Sequence, residues 1–177
     1  MAGELGGRRL ASPGPGSEVR PTSDRVREAL FSILGERVEG ARVLDLFCGT
    51  GALAIEALSR GAEHATLVDE RTEPAERNVE ALGLGGRARV VRSDALRFLR
   101  GREGEWDLIF CDPPYKLAER LKAPLESTVP GHLAERGLLV VESAGRNSLA
   151  LDLPLFTERS YGDTRIALHS RPEADDG

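Results

Sequence analysis

Three features of the 177-residue sequence predict an α/β fold: a seven-stranded, mostly parallel sheet with helices on both faces and an antiparallel C-terminal hairpin. From Ala41 onward short apolar runs alternate with segments of helical period. Such alternation buries a parallel sheet between two layers of helices. The runs Val43-Leu44, Leu108-Ile109-Phe110 and Leu138-Leu139-Val140-Val141 show no polar alternation, as expected of strands covered on both sides. Leu155 to Tyr161 and Arg165 to Ser170 flank Gly162-Asp163-Thr164, and Gly-Asp between β-prone runs signals a hairpin.

Met1 to Arg20 is rich in Gly, Pro and Arg and reads as irregular, with a short strand around Arg8 to Ala11. Residues 1–22 are therefore read as an arm, 23–171 as one domain and 172–177 as a disordered acidic tail. Arg20-Pro21-Thr22-Ser23-Asp24 supplies a turn and a helix cap, and Val26, Leu30, Ile33 and Leu34 give an amphipathic helix ending at Gly35. The expected order thereafter is strand 42–47, helix 52–60, strand 65–69, helix 72–82, strand 88–92, helix 95–100 and strand 106–111. A helix over 117–135, interrupted near Pro124 and Pro130, and a strand over 138–142 precede the hairpin.

Composition bounds the function. With 40% hydrophobic and 30% charged residues the chain is an ordinary globular domain, and no apolar stretch is long enough to span a bilayer. The first twenty residues lack an apolar signal core, so a cytoplasmic protein is expected. Cys48 and Cys111 have no metal-ligand spacing and His64, His132 and His169 are scattered, which predicts neither metal nor disulfide. A net charge of -5 opposes general coating of nucleic acid, but Arg8, Arg9, Arg20, Arg25 and Arg27 crowd one segment. One basic edge touching RNA fits that distribution.

Val43-Leu44-Asp45-Leu46-Phe47-Cys48-Gly49-Thr50-Gly51-Ala52 joins the first sheet strand to its helix. Gly49 and Gly51 let the backbone turn and approach a ligand at a strand's carboxyl end. Taken alone, the glycines could equally cradle a dinucleotide pyrophosphate. Asp45 would repel a pyrophosphate but attract the cationic amino-acid end of S-adenosyl-L-methionine; its bland alternative is a loop-bracing carboxylate. Asp69, 18 residues after Gly51, suits ribose hydroxyls in either cofactor. Asp94 can reach an adenine amino group or cap the helix that begins at Ala95. With Phe47, Glu70 and Ala95, these residues make up the expected cofactor site.

Asp112-Pro113-Pro114-Tyr115 closes the apolar run Trp106 to Cys111. An exocyclic base amine is a poor nucleophile because its lone pair is delocalised into the ring. Asp112 and the Pro113 carbonyl, each accepting one N–H, would turn that lone pair toward a methyl donor and stabilise the developing positive charge. The prolines fix φ and remove competing donors. Tyr115 offers a stacking face for an unstacked base. The bland reading is a strand-terminal turn; against it, both motifs fall on one sheet edge.

On these residues the chain resembles the RsmD family of bacterial 16S ribosomal-RNA guanine-N2 methyltransferases. The matching stretches are Gly7 to Leu10, Arg20 to Phe31, Asp45 to Gly51, Glu56 to Ala62 and Asp112 to Tyr115. The arginine-rich second stretch discriminates, since many amino-methyltransferases share the others. The resemblance implies a Rossmann-like class I methyltransferase fold, S-adenosyl-L-methionine as donor, and one guanine of 16S rRNA in the small ribosomal subunit as acceptor. It implies RNA contacts from Arg8, Arg9, Arg20, Arg25, Arg27 and Lys116, and a monomer is the default. The alternative for the arginines is a solvated helix face paired with Asp24 and Glu28. Met1 to Gly6 does not match the family's short β-like segment, Arg-Ile-Ile-Gly-Gly in type, and position 48 is Cys where the family often has Ala. Competing functions are N6-adenine methylation of nucleic acid, glutamine methylation of protein, a nicotinamide-dependent oxidoreductase and an inactive RNA-binding factor.

Overall fold

Ser23 starts the first helix, α1 (Asp24–Leu34), by accepting the Val26 N–H on its hydroxyl at 3.3 Å. Gly35 ends it with a φ of 53° and its N–H on the Phe31 carbonyl. Val26, Leu30, Phe31 and Leu34 are the buried stripe, the predicted amphipathic face except that Phe31 is buried and Ile33 only partly so. The computed structural model describes residues 3–7, 10, 23–101, 104–144 and 149–172. The expected strand around Arg8 to Ala11 and the acidic tail from Glu173 lie outside the described residues.

The chain then alternates β1 (Arg42–Leu46), α2 (Ala52–Ser59), β2 (His64–Asp69), α3 (Glu73–Ala81), β3 (Ala88–Arg92), α4 (Ala95–Arg100) and β4 (Trp106–Cys111). It continues through α5 (Ala118–Thr128), β5 (Leu133–Ala144), β6 (Leu155–Tyr161) and β7 (Thr164–Ser170). The seven strands form one sheet in the order β3-β2-β1-β4-β5-β7-β6. The first five are parallel, and β7 enters antiparallel between β5 and β6. The hairpin was legible in sequence; its insertion at that place is a tertiary result.

Side-chain alternation divides the interior into two layers. Val43, Leu108, Phe110, Leu138 and Val140 pack beneath α1, α2 and α3, where Phe31 meets Phe110 at 5.9 Å between ring centres. Leu44, Leu46, Ile109, Cys111, Leu139 and Val141 pack beneath α4 and α5. At about 25 cal/mol per Å² of apolar surface, burial in these two layers is the main favourable term in folding.

Several boundaries differ from expectation: the strand expected over 138–142 spans Leu133–Ala144, and α5 runs unbroken through Pro124, where an interruption is expected. The strand predicted to reach Phe47 ends at Leu46, because Phe47 turns into the left-handed region with φ 60°. The helix predicted to run to Glu135 ends at Thr128, and a short 3-10 turn, Val129–His132, leads straight into β5. Ala134, Glu135 and Arg136 are good helix formers, but tertiary packing overrides propensity here. Leu133 is fully buried and pairs with Trp106, while His132 packs its ring 5.7 Å from the Trp106 ring. The extra residues are absorbed as a register irregularity between Trp106 and Leu108.

Candidate functional site

β1 and β4 are adjacent and parallel, with Leu46 in register with Cys111. Their carboxyl ends therefore deliver the glycine loop and the Asp112–Tyr115 segment side by side, the crevice where open α/β sheets bind ligands.

The glycine loop is held from three sides. The Gly49 N–H donates to Asp69 Oδ2 at 2.9 Å, the Ala54 N–H to Asp45 Oδ2 at 3.2 Å, and Asn78 Nδ2 to the Thr50 carbonyl at 2.9 Å. Gly49 and Gly51 have φ of 55° and 79°. A Cβ at Gly51 would stand 2.6 Å from Leu67 Cδ2, whereas nothing lies within 4 Å of a Cβ position at Gly49. Gly51 thus lets α2 seat on β2, and Gly49 leaves open space for a ligand to approach the backbone. Phe47, half-buried, takes its positive φ at the start of this loop; such strain in a non-glycine residue clusters at ligand-binding turns.

Each expected cofactor residue can now be placed. Asp45 is 2% exposed and braces the amino end of α2, so the loop-bracing alternative describes its visible role. Burial raises its carboxyl to about 7, against the Ala54 hydrogen bond that lowers it, with Asp69 and Glu142 adding to the rise. Asp69, half-buried, also accepts the Arg71 N–H at 3.0 Å. Asp94 caps α4 by accepting the Arg97 N–H at 2.8 Å and remains partly exposed; Ala95 behind it is buried and Glu70 is exposed. An acidic side chain at the end of β2, a partly exposed carboxylate after β3 and clearance over Gly49 fit an adenosyl ligand with a cationic end.

At the acceptor side, Pro113 is buried, Asp112 partly exposed and Pro114 exposed. The Pro114 carbonyl accepts the Leu117 N–H at 2.8 Å and closes a 3-10 turn, Tyr115–Leu117. The Pro114 carbonyl is thus engaged by the chain itself. Burial pushes the Asp112 carboxyl well above the usual carboxylate range, reinforced by the charges of Glu142 and then Asp45. Glu142, buried in β5 two residues before its end at Ala144, was not singled out in sequence. Its signal was available: an acidic residue closing the apolar run Leu138 to Val141, one strand over from Asp112. Cys48 and Cys111 are both buried and free, each thiol pushed up chiefly by burial.

The basic residues do not act alike. Arg27 is largely buried and ion-paired with Asp24 and, at 3.6 Å, with Glu56 of α2. The predicted pairing with Asp24 is present, but Glu56 rather than Glu28 completes it. That ion-paired side chain is poorly placed for phosphate. Arg25 and Lys116 are exposed, and Arg8, Arg9 and Arg20 lie outside the described residues. A cavity of about 310 Å³ lined by Arg37, Ala41, Asp107 and Arg136 sits at the opposite, amino-terminal edge of the sheet, away from both motifs.

Comparison with known proteins bears on this arrangement. The family model described as "Conserved hypothetical protein 95" matches residues 1–170. Ribosomal RNA small subunit methyltransferase D of Escherichia coli is 37% identical over 97% of this chain and 88% of its own length. The chain belongs to the RsmD family of methyltransferases. The solved structure of yhhF from Escherichia coli superposes with a TM-score of 0.81 at 36% identity, covering 98% of this chain and 97% of that one. An RNA methyltransferase of Salinibacter ruber, solved with S-adenosyl-L-homocysteine, shares the fold at a TM-score of 0.68 and 14% identity, over 88% of this chain and 95% of the other. The RsmD-family assignment and the Rossmann-like methyltransferase fold agree with the resemblance read from Arg20 to Phe31 and from the two sheet-edge motifs.

Proposed function

We propose that this protein transfers a methyl group from S-adenosyl-L-methionine to the exocyclic N2 amine of one guanine in 16S rRNA, acting as a cytoplasmic monomer on the assembled small subunit. The observation that carries this reading is the convergence of the Asp45–Gly51 loop and Asp112–Tyr115 on adjacent parallel strands, Leu46 beside Cys111. The relative named ribosomal RNA small subunit methyltransferase D supports the rRNA substrate, and the family resemblance carried by Arg20 to Phe31 supports guanine within it. Residues 1–22, with Arg8, Arg9 and Arg20, are proposed as an RNA-contacting arm preceding the catalytic domain.

S-adenosyl-L-methionine supplies the methyl group from a sulfonium, an electrophile that leaves as a neutral thioether. Asp69 would hold the ribose hydroxyls, with Glu70 at its rim. Asp94 and Ala95 would meet the adenine, Gly49 and Gly51 would let the backbone close on the ligand beside Phe47, and the Asp45 charge would favour the cationic end. Asp112 and the Pro113 carbonyl would accept the two amine hydrogens, Tyr115 would stack on the flipped guanine, and Pro114 would stiffen the turn. Acceptors that strengthen as nitrogen becomes positive favour the transition state over the ground state. Arg25 and Lys116 would meet phosphate.

The test is transfer of labelled methyl to unmodified 30S subunits, naked 16S rRNA and DNA, with identification of the modified nucleoside. N2-methylguanosine in the 30S sample is expected; incorporation only into adenine overturns the substrate assignment. Asp112→Ala should keep cofactor affinity within a few fold and lower the rate constant about a hundredfold or more. Near wild-type turnover in that variant would sink the role given to Asp112.

A further inference from the structure

Between Ala88 and Gly101 the chain carries four arginines against one acidic residue, Asp94, in a protein whose net charge is -5. Three of the four stand on one face of the sheet. Val91 of β3, Phe98 and Leu99 of α4, and Leu117 of the turn that follows the acceptor motif pack into one layer. Arg89 precedes Val91 by two residues, which places its side chain on that same face of the strand. On α4, Ala95, Phe98 and Leu99 are buried while Arg97 and Arg100 are exposed; three residues apart, these two are neighbours on the helix surface. Arg92 follows Val90 by two residues and falls on the opposite face. β3 is the outermost strand and pairs with β2 alone, so Arg89 stands at an open margin.

Other arginines are used within the chain. Arg87 pairs with Glu4 at 3.2 Å and donates to the Leu58 and Ala62 carbonyls, each at 2.8 Å, and Arg27 and Arg60 share Glu56. Arg89, Arg97 and Arg100 are exposed and enter no ion pair among the described residues. Asp94 accepts the Arg97 backbone N–H at 2.8 Å, which ties it to the start of α4. α5, which touches α4, carries two acidic and two basic residues, so it leaves the charge of this face unchanged. The opposite layer differs, since α3 exposes Glu73, Glu76 and Glu80 against Arg77. A polyanion is therefore drawn to the α4 face and repelled from the α3 face. Charge on an edge strand also blocks pairing with a second sheet, but that accounts for Arg89 and not for two arginines on a helix.

We propose that Arg89, Arg97 and Arg100 form an RNA-binding surface on the α4 face, holding backbone phosphates of the strand that flanks the target nucleotide. This rests on the reading of RNA as the substrate and adds a path for it. From the acceptor turn the strand crosses α4 and reaches the open margin at β3. Guanidinium groups that are exposed and not ion-paired meet phosphate without first giving up an internal partner. Phosphate contacts fix register and orientation but carry no base information. The α4 face therefore positions the RNA, and selection of the base stays with the acceptor motif.

The test is binding of the full-length protein to a protein-free, single-stranded 16S rRNA fragment, followed by fluorescence anisotropy across a salt series. In the triple variant R89A/R97A/R100A the slope of log affinity against log salt should fall by about two, and affinity at about 0.1 M salt should drop roughly tenfold or more. R89K/R97K/R100K should keep the slope, because the contacts are made to charge. R77A, on the α3 face, should match wild type, and S-adenosyl-L-homocysteine affinity should be the same in all four proteins. In methyl transfer the triple alanine variant should raise KM for RNA and leave kcat at saturation within about twofold. A triple-variant slope equal to that of wild type overturns the proposal, and if the variant also self-associates, Arg89 is an edge guard instead. A loss in R77A as large as that in the triple variant overturns it too, since any surface charge would then serve. Weakened binding to 30S subunits with unchanged binding to protein-free RNA points to a ribosomal protein and overturns the RNA assignment. If the slope falls as expected but no N2-methylguanosine forms on 30S subunits with the wild-type protein, the guanine reading fails and the RNA surface stands.

Discussion

Single side chains decide how well the glycine loop is made before any ligand arrives. Asn78 is buried and reaches from α3 to the Thr50 carbonyl at 2.9 Å. Leaving that carbonyl without its donor costs about 1–3 kcal/mol. Asn78→Ala should therefore weaken S-adenosyl-L-homocysteine binding several-fold in calorimetry while leaving kcat at saturating cofactor nearly unchanged. A loss confined to kcat would contradict a role in shaping the loop. Asp45 makes a pH prediction. Its carboxyl is displaced upward from 3.8 to about 7, so between those values the folded state binds more protons than the unfolded one. Its contribution to stability is fully present below about 4 and is lost as pH rises through about 7, each unit of the difference being worth about 1.4 kcal/mol. Urea unfolding of the free protein should show stability declining over that window, and Asp45→Asn should flatten the decline. A cationic ligand facing Asp45 would reverse the trend by favouring the ionised form.

At the scale of elements, the seating of α2 on the sheet depends on one missing side chain. A Cβ at Gly51 would meet Leu67 Cδ2 at 2.6 Å and Ile55 Cδ1 at 3.3 Å, with a φ of 79°. Overpacking and positive φ act together here, so Gly51→Ala should lower unfolding free energy by about 1–3 kcal/mol in urea. α5 carries the opposite opportunity. Pro124 sits inside the helix Ala118–Thr128, where it removes an N–H and crowds the preceding turn. Pro124→Ala should raise the unfolding midpoint, read by thermal melting. The same segment shows what sequence alone leaves open. Ala134-Glu135-Arg136 reads as helix by propensity, and only the pairing of Leu133 with Trp106 makes it strand.

For the whole molecule, a net charge of -5 means that RNA affinity has to come from a local edge. Arg25 is exposed on the first turn of α1. Arg25→Ala should reduce the slope of log affinity against log salt by somewhat under one for a single-stranded 16S fragment. Arg27→Ala should instead lower thermal stability, because Arg27 is held by Asp24 and Glu56. At the far edge, β6 exposes Leu155 and Phe156, but the Arg37 guanidinium lies 5.1 Å over the Phe156 ring, and Glu158 and Arg159 add charge. Charged edge strands resist pairing with a second copy, in accord with the proposed monomer.

The sequence by itself determined the α/β alternation, the Ser23 cap and Gly35 stop, the hairpin at Gly162, and the two motifs at strand ends. Each is a local signal, written in the period of apolar residues or in the backbone freedom of a particular residue. Tertiary structure decided what depends on neighbours distant in the chain: β7 between β5 and β6, the start of β5 at Leu133, and the withdrawal of Arg27 into ion pairs with Asp24 and Glu56. It also decided the company of Asp112. Thirty residues separate it from Glu142 and 67 from Asp45, and no spacing rule joins them. Parallel strand register does, because it aligns strand ends whatever the length of chain between them.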